Sequence, residues 1–540
     1  MAPSIEIQES VELNIQHAVN ETGFGKFNIK VAILCGLIYC NTAFSITSIG
    51  FVLPSAACDF QMTTIDKDRL STSFMLGMLA GAYFWGCFAD MKGRKYALMV
   101  ALLSHGGIEF VSSFVSNYWC FIFLKTFSGF ALSGQSGLLF TYLGEFQPTK
   151  YRDRLLCWLE MAWTIGLILL PLLAWLVIPM NFTMDTWPFY FHSWNIFVLA
   201  CSIPSLLIGI WICFFPETPK YLAEANMNHI LAKVLTRMYA ENTGNAPEEY
   251  FKTVANHEIP SVSEMVRKIE GREEVRPDEG EKEKKKSLNK MMKVLCSQTT
   301  ALLRPPYIQR TLSICTLMFC VTSSYYTLIL WFPDMFQRFA KFEELHPDSS
   351  TSMCKLSSNI GLANETMTSV QDTFGCQDSI NMDVFLHTLI LGLSCLPASI
   401  LLPLTVDRVG YRFYLVFCTL SACGITIGLF FVKSATQNLI LSCLFEALLS
   451  VCMSIVFCVV VDLFPTKLRV MAAALSAFCG RLGSLFGNAL FGYLIDTFCV
   501  SLIGIVALEL LVSAVLGTFL SRSGQDPKAV RTGIIKDAAA

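Results

Sequence analysis

Charge is what this sequence has least of: Asp, Glu, Lys and Arg make up 15% of its 540 residues, against about 25% in soluble domains. So few charges cannot cover a water-facing surface of that size, which excludes an ordinary soluble domain. The net charge is −2, so there is no basic excess for nucleic acid. Also missing are a Walker loop, a nucleophile triad, a metal-ligand cluster and a paired CxxC signature, and the expectation is of no enzyme and no cofactor. The first 26 residues are polar, with Glu6, Glu9 and Glu12, and contain no apolar core of a cleavable signal peptide. Most of the 21 cysteines stand singly in apolar runs, where they read as small buried hydrophobes.

What is abundant is apolar sequence, 54% of the chain, arranged in runs such as Val31 to Pro54, Leu155 to Ile178 and Cys499 to Leu520. Each is about 20 residues or longer, the length that crosses a hydrocarbon core of about 30 Å. The pattern predicts an all-α membrane protein, surrounded by lipid, with twelve spans at 29–54, 70–89, 96–116, 118–142, 155–178, 194–215, 311–332, 384–405, 412–432, 437–461, 470–494 and 497–520. These group into an N-terminal segment (1–28), a six-helix bundle (29–215), a linker with short surface helices (216–310), a second six-helix bundle (311–520) and a tail (521–540).

Sidedness follows from the basic residues, which are retained on the cytoplasmic face. The loops after spans 2, 4, 8 and 10 hold Lys92, Arg94, Lys95, Lys150, Arg152, Arg154, Arg408, Arg412, Lys467 and Arg469, while those after spans 3, 5 and 11 hold none. Both termini and the linker are therefore expected in the cytoplasm. The opposite face then carries the sequons at Asn181 and Asn364, while Asn20 begins a third on the cytoplasmic side. Loop 7 (333–383) contains two cysteines, Cys354 and Cys376. An oxidising lumen favours joining them, and two free thiols are the alternative.

Two loop motifs repeat. Gly86-Cys-Phe-Ala-Asp90-Met-Lys-Gly93-Arg94-Lys95 after span 2 is answered by Asp407-Arg408-Val-Gly410-Tyr-Arg412 after span 8. Glu145-Phe-Gln-Pro-Thr-Lys-Tyr-Arg152 after span 4 is answered by Asp462-Leu-Phe-Pro-Thr-Lys-Leu-Arg469 after span 10. Both intervals are 317 residues (407 − 90 and 469 − 152), so the second half is a parallel copy of the first, as in carriers whose halves are related by an axis along the membrane normal. Gly93 and Gly410 suit a tight turn between helices. The flanking acids and guanidinium groups can pair with each other and with helix ends as a latch, and they also serve as basic anchors.

Together with the Pro216-Glu217-Thr218-Pro219-Lys220-Tyr221-Leu222 exit from span 6, the 86–95 motif resembles the major facilitator superfamily, in particular its sugar and organic-ion branches. Gly50-Phe-Val-Leu-Pro-Ser-Ala56, Phe191-His-Ser-Trp194 and Ser324-Tyr-Tyr with Trp331-Phe-Pro-Asp-Met335 resemble the synaptic vesicle glycoprotein 2 family and its relatives, over nearly all spans. The resemblance implies a central cavity lined by spans 1, 4, 7 and 10 and a monomeric carrier. The lining candidates are Asn41, Thr42, Ser45, Lys125, Ser133, Gln135, Ser323, Tyr325, Tyr326, Trp331 and Glu446. The chain departs from the family where Thr42 and Ser45 replace acids of span 1, where Met453 and Phe457 replace a Trp and an Asp of span 10, and in its shorter loop 7.

An ionisable residue inside a span is a functional candidate by default. Glu109 and Lys125 each lie eight residues from Asn117 in the turn between spans 3 and 4, about 12 Å below it, and are expected to pair. Glu446 lies 16 residues above Asp462 and Arg481 12 above Arg469. The mismatch is about 6 Å, and a Glu446–Arg481 pair is expected between spans 10 and 11. The leading reading is an alternating-access carrier of a small organic solute, with or without a coupling proton or cation, in the plasma membrane or a secretory or synaptic-type vesicle. The alternative, raised by the missing span 1 acids, is a binding or trafficking glycoprotein on the same fold.

Overall fold

The computed structural model describes residues 15–250, 299–345, 354 and 381–520, apart from positions 181, 187, 188, 226, 306 and 465. The sequons at Asn181 and Asn364 and the thiol of Cys376 lie outside the described residues.

Twelve long helices follow the apolar runs: α1 (Lys26–Ser55), α2 (Thr64–Lys92), α3 (Arg94–Ser112), α4 (Tyr118–Phe146), α5 (Thr149–Val177), α6 (Ser193–Trp211), α7 (Ile308–Ile329), α8 (Met382–Val409), α9 (Tyr411–Leu429), α10 (Ala435–Leu463), α11 (Thr466–Leu494) and α12 (Cys499–Leu520). Among the described residues, nine helical stretches are long and apolar enough to cross a membrane. Helices α3, α4 and α11 fall outside that set and carry more polar residues, among them Glu109, Lys125, Gln135, Arg481 and Asn488. A short antiparallel hairpin, β1 (Thr183–Thr186) with β2 (Phe189–His192), joins α5 to α6.

The chain forms two compact units. Unit 1 comprises Met1–Ser48, Leu76–Leu170 and Phe182–Glu283, and unit 2 comprises Ile49–Met75, Pro171–Asn181 and Lys284–Ala540. In unit 1, α3 packs along α4 and α6. The helix Asn228–Thr243 of the linker is tied to the start of the chain through Asn242, whose Nδ2 donates to Thr22 O (3.2 Å), Gly23 O (3.1 Å) and Asn28 Oδ1 (2.6 Å). In unit 2, α11 packs along α7, and α10 along α8 and α9. The α7–α11 approach depends on Gly483 and Gly487, where an added Cβ would press into the Phe319 and Ser323 carbonyls.

Both repeated motifs turn on a glycine in the left-handed half of backbone space. Gly93 has φ +105° and precedes α3, and Gly410 has φ +87° and precedes α9. An L side chain at such a position is strained, which explains why the same residue stands at the same place in both copies.

Two expectations are corrected here. Span 7 does not run out into an irregular loop at 333, because a second helix, Phe332–Leu345, follows α7 after a short break. Its Asp334 and Arg338, four residues apart, form an ion pair at 2.8 Å that supports it. Cys354 is bonded to Cys499, with Cα atoms 5.4 Å apart, rather than to Cys376. Cys499 is the first residue of α12, so it stands at a helix end beside loop 7 although the sequence places it inside an apolar run. Cys58 is disulfide-bonded as well.

Cys499→Ser should expose one new thiol at Cys354 to a membrane-impermeant maleimide, detected by mass spectrometry, whereas Cys376→Ser should leave Cys354 unreactive. The reverse outcome would restore a bridge within loop 7.

Candidate functional site

Around the Gly93 turn of unit 1, Arg94 is shared among three carboxylates. Its Nη2 lies 3.3 Å from Asp90 Oδ1, its Nε 3.4 Å from Glu145 Oε1 and its Nη1 3.7 Å from Glu224 Oε2. All three contacts are longer than a charge-assisted hydrogen bond, about 2.7–2.9 Å, so Arg94 is held by a ring of negative charge without commitment to one partner. The Tyr221 ring lies beneath it, 5.6 Å from the guanidinium carbon. Glu217 of the Pro-Glu-Thr-Pro exit caps α3: its Oε1 accepts the amides of Lys95 (2.9 Å) and Thr218 (3.0 Å). Lys95 Nζ reaches the Cys213 carbonyl at 2.9 Å. Burial pushes the carboxyls of Glu217 and Glu224 above the usual range, opposed at Glu217 by backbone amides and at Glu224 by Arg94 and Lys220. Arg94, not Arg152, is the partner of Glu145, since Arg152 lies back against Gly144. Gly86 faces open space. In the second copy Arg408 is exposed and Arg412 Nη2 donates to Thr518 O at 2.8 Å. The side chains of Asp407, Asp462 and Arg469 lie outside the described residues.

Deeper in unit 1 the polar residues join into two linked groups. Lys125 Nζ lies 2.6 Å from Glu109 Oε2, with the lysine only 1% exposed. Ser128 Oγ donates to Glu109 Oε1, so the carboxylate is satisfied on both oxygens. Beside it, Asn41 Nδ2 donates to Gln135 Oε1 (3.0 Å), Gln135 Nε2 to Ser205 Oγ (3.3 Å) and Ser205 Oγ to Leu102 O (2.9 Å), with His105 Nδ1 3.2 Å from Ser205 Oγ. This chain crosses α1, α4, α6 and α3 and leaves buried atoms unused: Asn41 Oδ1, Ser45 Oγ, Ser133 Oγ and His105 Nε2 have no hydrogen-bond partner. Thr42 is not among them, because its hydroxyl donates to Ile38 O of its own helix at 2.9 Å.

In unit 2, Glu446 is 1% exposed and neither carboxylate oxygen is hydrogen-bonded. The pairing with Arg481 is not formed, and Arg481 has other interactions. Depths within about 6 Å of each other are not enough, because α10 lies chiefly along α8 and α9 while α11 lies chiefly along α7. Tyr325 and Tyr326 are buried edge to face, centroids 5.1 Å apart. Trp331 is locked into packing: its Nε1 donates to Asn488 Oδ1 (3.1 Å) and its ring stacks on Phe491 at 4.8 Å. Ser323 and Ser324 donate to the two oxygens of Glu509, at 3.0 and 3.1 Å.

One constellation has no counterpart among the residues picked from sequence. Asp334 accepts from Lys67 Nζ (2.6 Å) and Arg338 Nε (2.8 Å), and Arg338 Nη1 reaches Asp496 Oδ1 (2.7 Å). Nearby, Asn488 Nδ2 donates to Ser71 Oγ (2.8 Å) and Thr72 Oγ1 (3.0 Å). The start of α2 is thus fastened to the helix after α7 and to α11. Only the four-residue spacing of Asp334 and Arg338 signals it in the sequence.

Residues 47–345 match the model of the sugar (and other) transporter family, and the chain belongs to that family. It is 30% identical to synaptic vesicle glycoprotein 2B of Mus musculus over 347 residues, 63% of this chain and 50% of that protein. It is also 30% identical to synaptic vesicle glycoprotein 2C of Homo sapiens over 338 residues, 61% of this chain and 45% of that protein. The alignment thus spans about half the length of these relatives. Among solved structures, a partially occluded inward-open form of the xylose transporter XylE from E. coli superposes with a TM-score of 0.62 at 13% identity, covering 90% of this chain and 96% of the other. A D-xylose-proton symporter gives 0.58 at 14%, covering 92% and 97%. The fold is that of the major facilitator superfamily: a multi-pass membrane protein of a transporter family and not of an enzyme family.

Lys125→Met should leave Glu109 as an unpaired buried anion and destabilise the protein by about 3–5 kcal/mol, read as a large drop in melting temperature in detergent. Glu109→Gln combined with Lys125→Met should recover most of that loss. Equal loss in the single and the double variant would mean that the pair contributes shape and not charge balance.

Proposed function

We propose that this chain is an alternating-access carrier of a small, neutral, hydroxyl-rich organic solute of the sugar type. The observation that carries the reading is the buried polar chain of unit 1 with its unused atoms. Asn41 Oδ1, Ser45 Oγ and Ser133 Oγ offer an acceptor and two hydroxyls, and buried polar atoms of this kind are normally satisfied. The nearby charges cancel, since Lys125 is neutralised by Glu109, so this set has no fixed charge with which to balance an ionic solute. Family membership and the likeness to xylose carriers support the same class.

In this reading the ring around Arg94 is a cytoplasmic latch. Contacts of 3.3–3.7 Å to three acids form a cluster that can loosen without leaving one ion pair to break whole. Both termini face the cytoplasm, and the ends bearing loop 7 and its disulfide face the outside or a vesicle lumen. The protein acts as a monomer in the lipid of the plasma membrane or a secretory-type vesicle. The replacement of acids by Thr42 and Ser45, with Thr42 tied to its own helix, favours a second reading in which the fold serves as a binding or trafficking module.

Proteoliposomes should take up a labelled sugar from a panel of sugars, amines and carboxylates, and Asn41→Ala or Gln135→Ala should lower uptake at least tenfold in protein that is still folded, with a melting temperature lowered modestly by the orphaned partner. Failure of the folded wild type with every solute would favour the module reading.

Asp90→Asn should alter cysteine accessibility at the two ends of the protein at normal surface levels. A loss of about 1 kcal/mol shifts a two-state ratio several-fold. An unaltered pattern would leave Asp90 as a loop anchor only.

A further inference from the structure

Glu446 sits in α10 with its carboxyl buried and both oxygens without a hydrogen-bond partner. One helical turn earlier, on the same face, Ser442 Oγ is also buried and unpartnered. Helix α10 packs against α7, α8, α9, α11 and the helix Phe332–Leu345. Among the described residues, the titratable groups that face Glu446 are the Tyr325 hydroxyl from α7, the Cys395 thiol from α8 and the Cys443 thiol from α10 itself. None of the three is a cation. With no cation beside it and only the Tyr325 hydroxyl directed at it, an ionised carboxylate here is costly to bury, and a group in that position takes up a neutralising ion instead.

We propose that Glu446 is a proton-binding site of the transport cycle, in place of the acids that α1 lacks. The choice of ion follows from the ligands. A hard metal cation takes about six oxygens, whereas the side-chain oxygens at this place, among the described residues, are the two of Glu446, Ser442 Oγ and the Tyr325 hydroxyl. A proton needs one. In the buried state the acid is neutral. When water reaches it, the O–H bond breaks, its electron pair stays on the carboxylate and the proton passes to water. Reprotonation from water on the other face restores the neutral group. Proton binding and the exclusion of water at Glu446 are therefore linked, and a linked ion drives a cycle in one direction.

This inference rests on the carrier reading, and the experiment separates the two. Infrared difference spectra of purified protein taken between acid and alkaline pH report the C=O stretch of a protonated buried carboxyl. Wild type should show this band, Glu446→Asp should shift it and Glu446→Gln should lose it with an unchanged melting temperature. Proteoliposomes supplied with D-xylose then test coupling. An inward proton gradient should accelerate wild-type uptake several-fold and leave Glu446→Gln unaccelerated, while xylose exchange without a gradient persists in the variant. A band of full intensity in folded Glu446→Gln overturns the site, and gradient-driven uptake of wild-type size in that variant overturns its role in coupling. Absence of xylose exchange in wild type counts against the carrier reading for that sugar, and the infrared band still decides whether Glu446 holds the proton.

Discussion

An ionisable group within an apolar layer has to be paired, hydrogen-bonded or neutral, and the internal arrangement of this protein follows from how each such group meets that demand. Glu109 has a lysine on one oxygen and a serine on the other. Glu509 has two serines from α7. Lys67, Asp334, Arg338 and Asp496 form a chain in which each charge touches one of opposite sign. These ties also fix which helices lie side by side, because a partner has to come from a neighbour. Among the described residues Glu446 is buried with no hydrogen-bond partner on either oxygen, and in the proposal above it meets the demand by holding a proton.

The same demand explains the contrast between two charge clusters, one in each unit. Around Gly93 the charges are numerous, spaced beyond hydrogen-bond length and still acid-rich, so the cluster is soft. Around Asp334 the contacts are 2.6–2.8 Å and committed, so that cluster is firm. Protein packing turns such differences into discrete alternatives and not a continuum.

What was legible in the sequence was local or repeated. Nine spans follow from apolar run length and three more, α3, α4 and α11, from runs that carry buried polar residues, and the turns at Gly93 and Gly410 follow from a backbone need that one residue type meets at one fixed interval. The Glu109–Lys125 contact was legible because the two helices share the turn at Asn117, which sets both depths. What was not legible depended on lateral neighbourhood. Glu446 and Arg481 lie within about 6 Å of each other in depth, yet their consecutive helices have different main neighbours. Lys67 and Asp334 are 267 residues apart, and nothing periodic links them. Trp331, an aromatic that could line a cavity, is held by Asn488 and Phe491 instead. Glu145 meets Arg94 because the Gly93 turn brings the arginine there.

The Cys354–Cys499 bond spans a sequence separation of 145 residues, and that interval contains all of α8 to α11. During synthesis Cys354 emerges long before its partner exists. The native bond can close only after four more helices have been made and the head of α12 has come to rest beside Cys354. It therefore joins the part of the chain made before those helices to the part made after them.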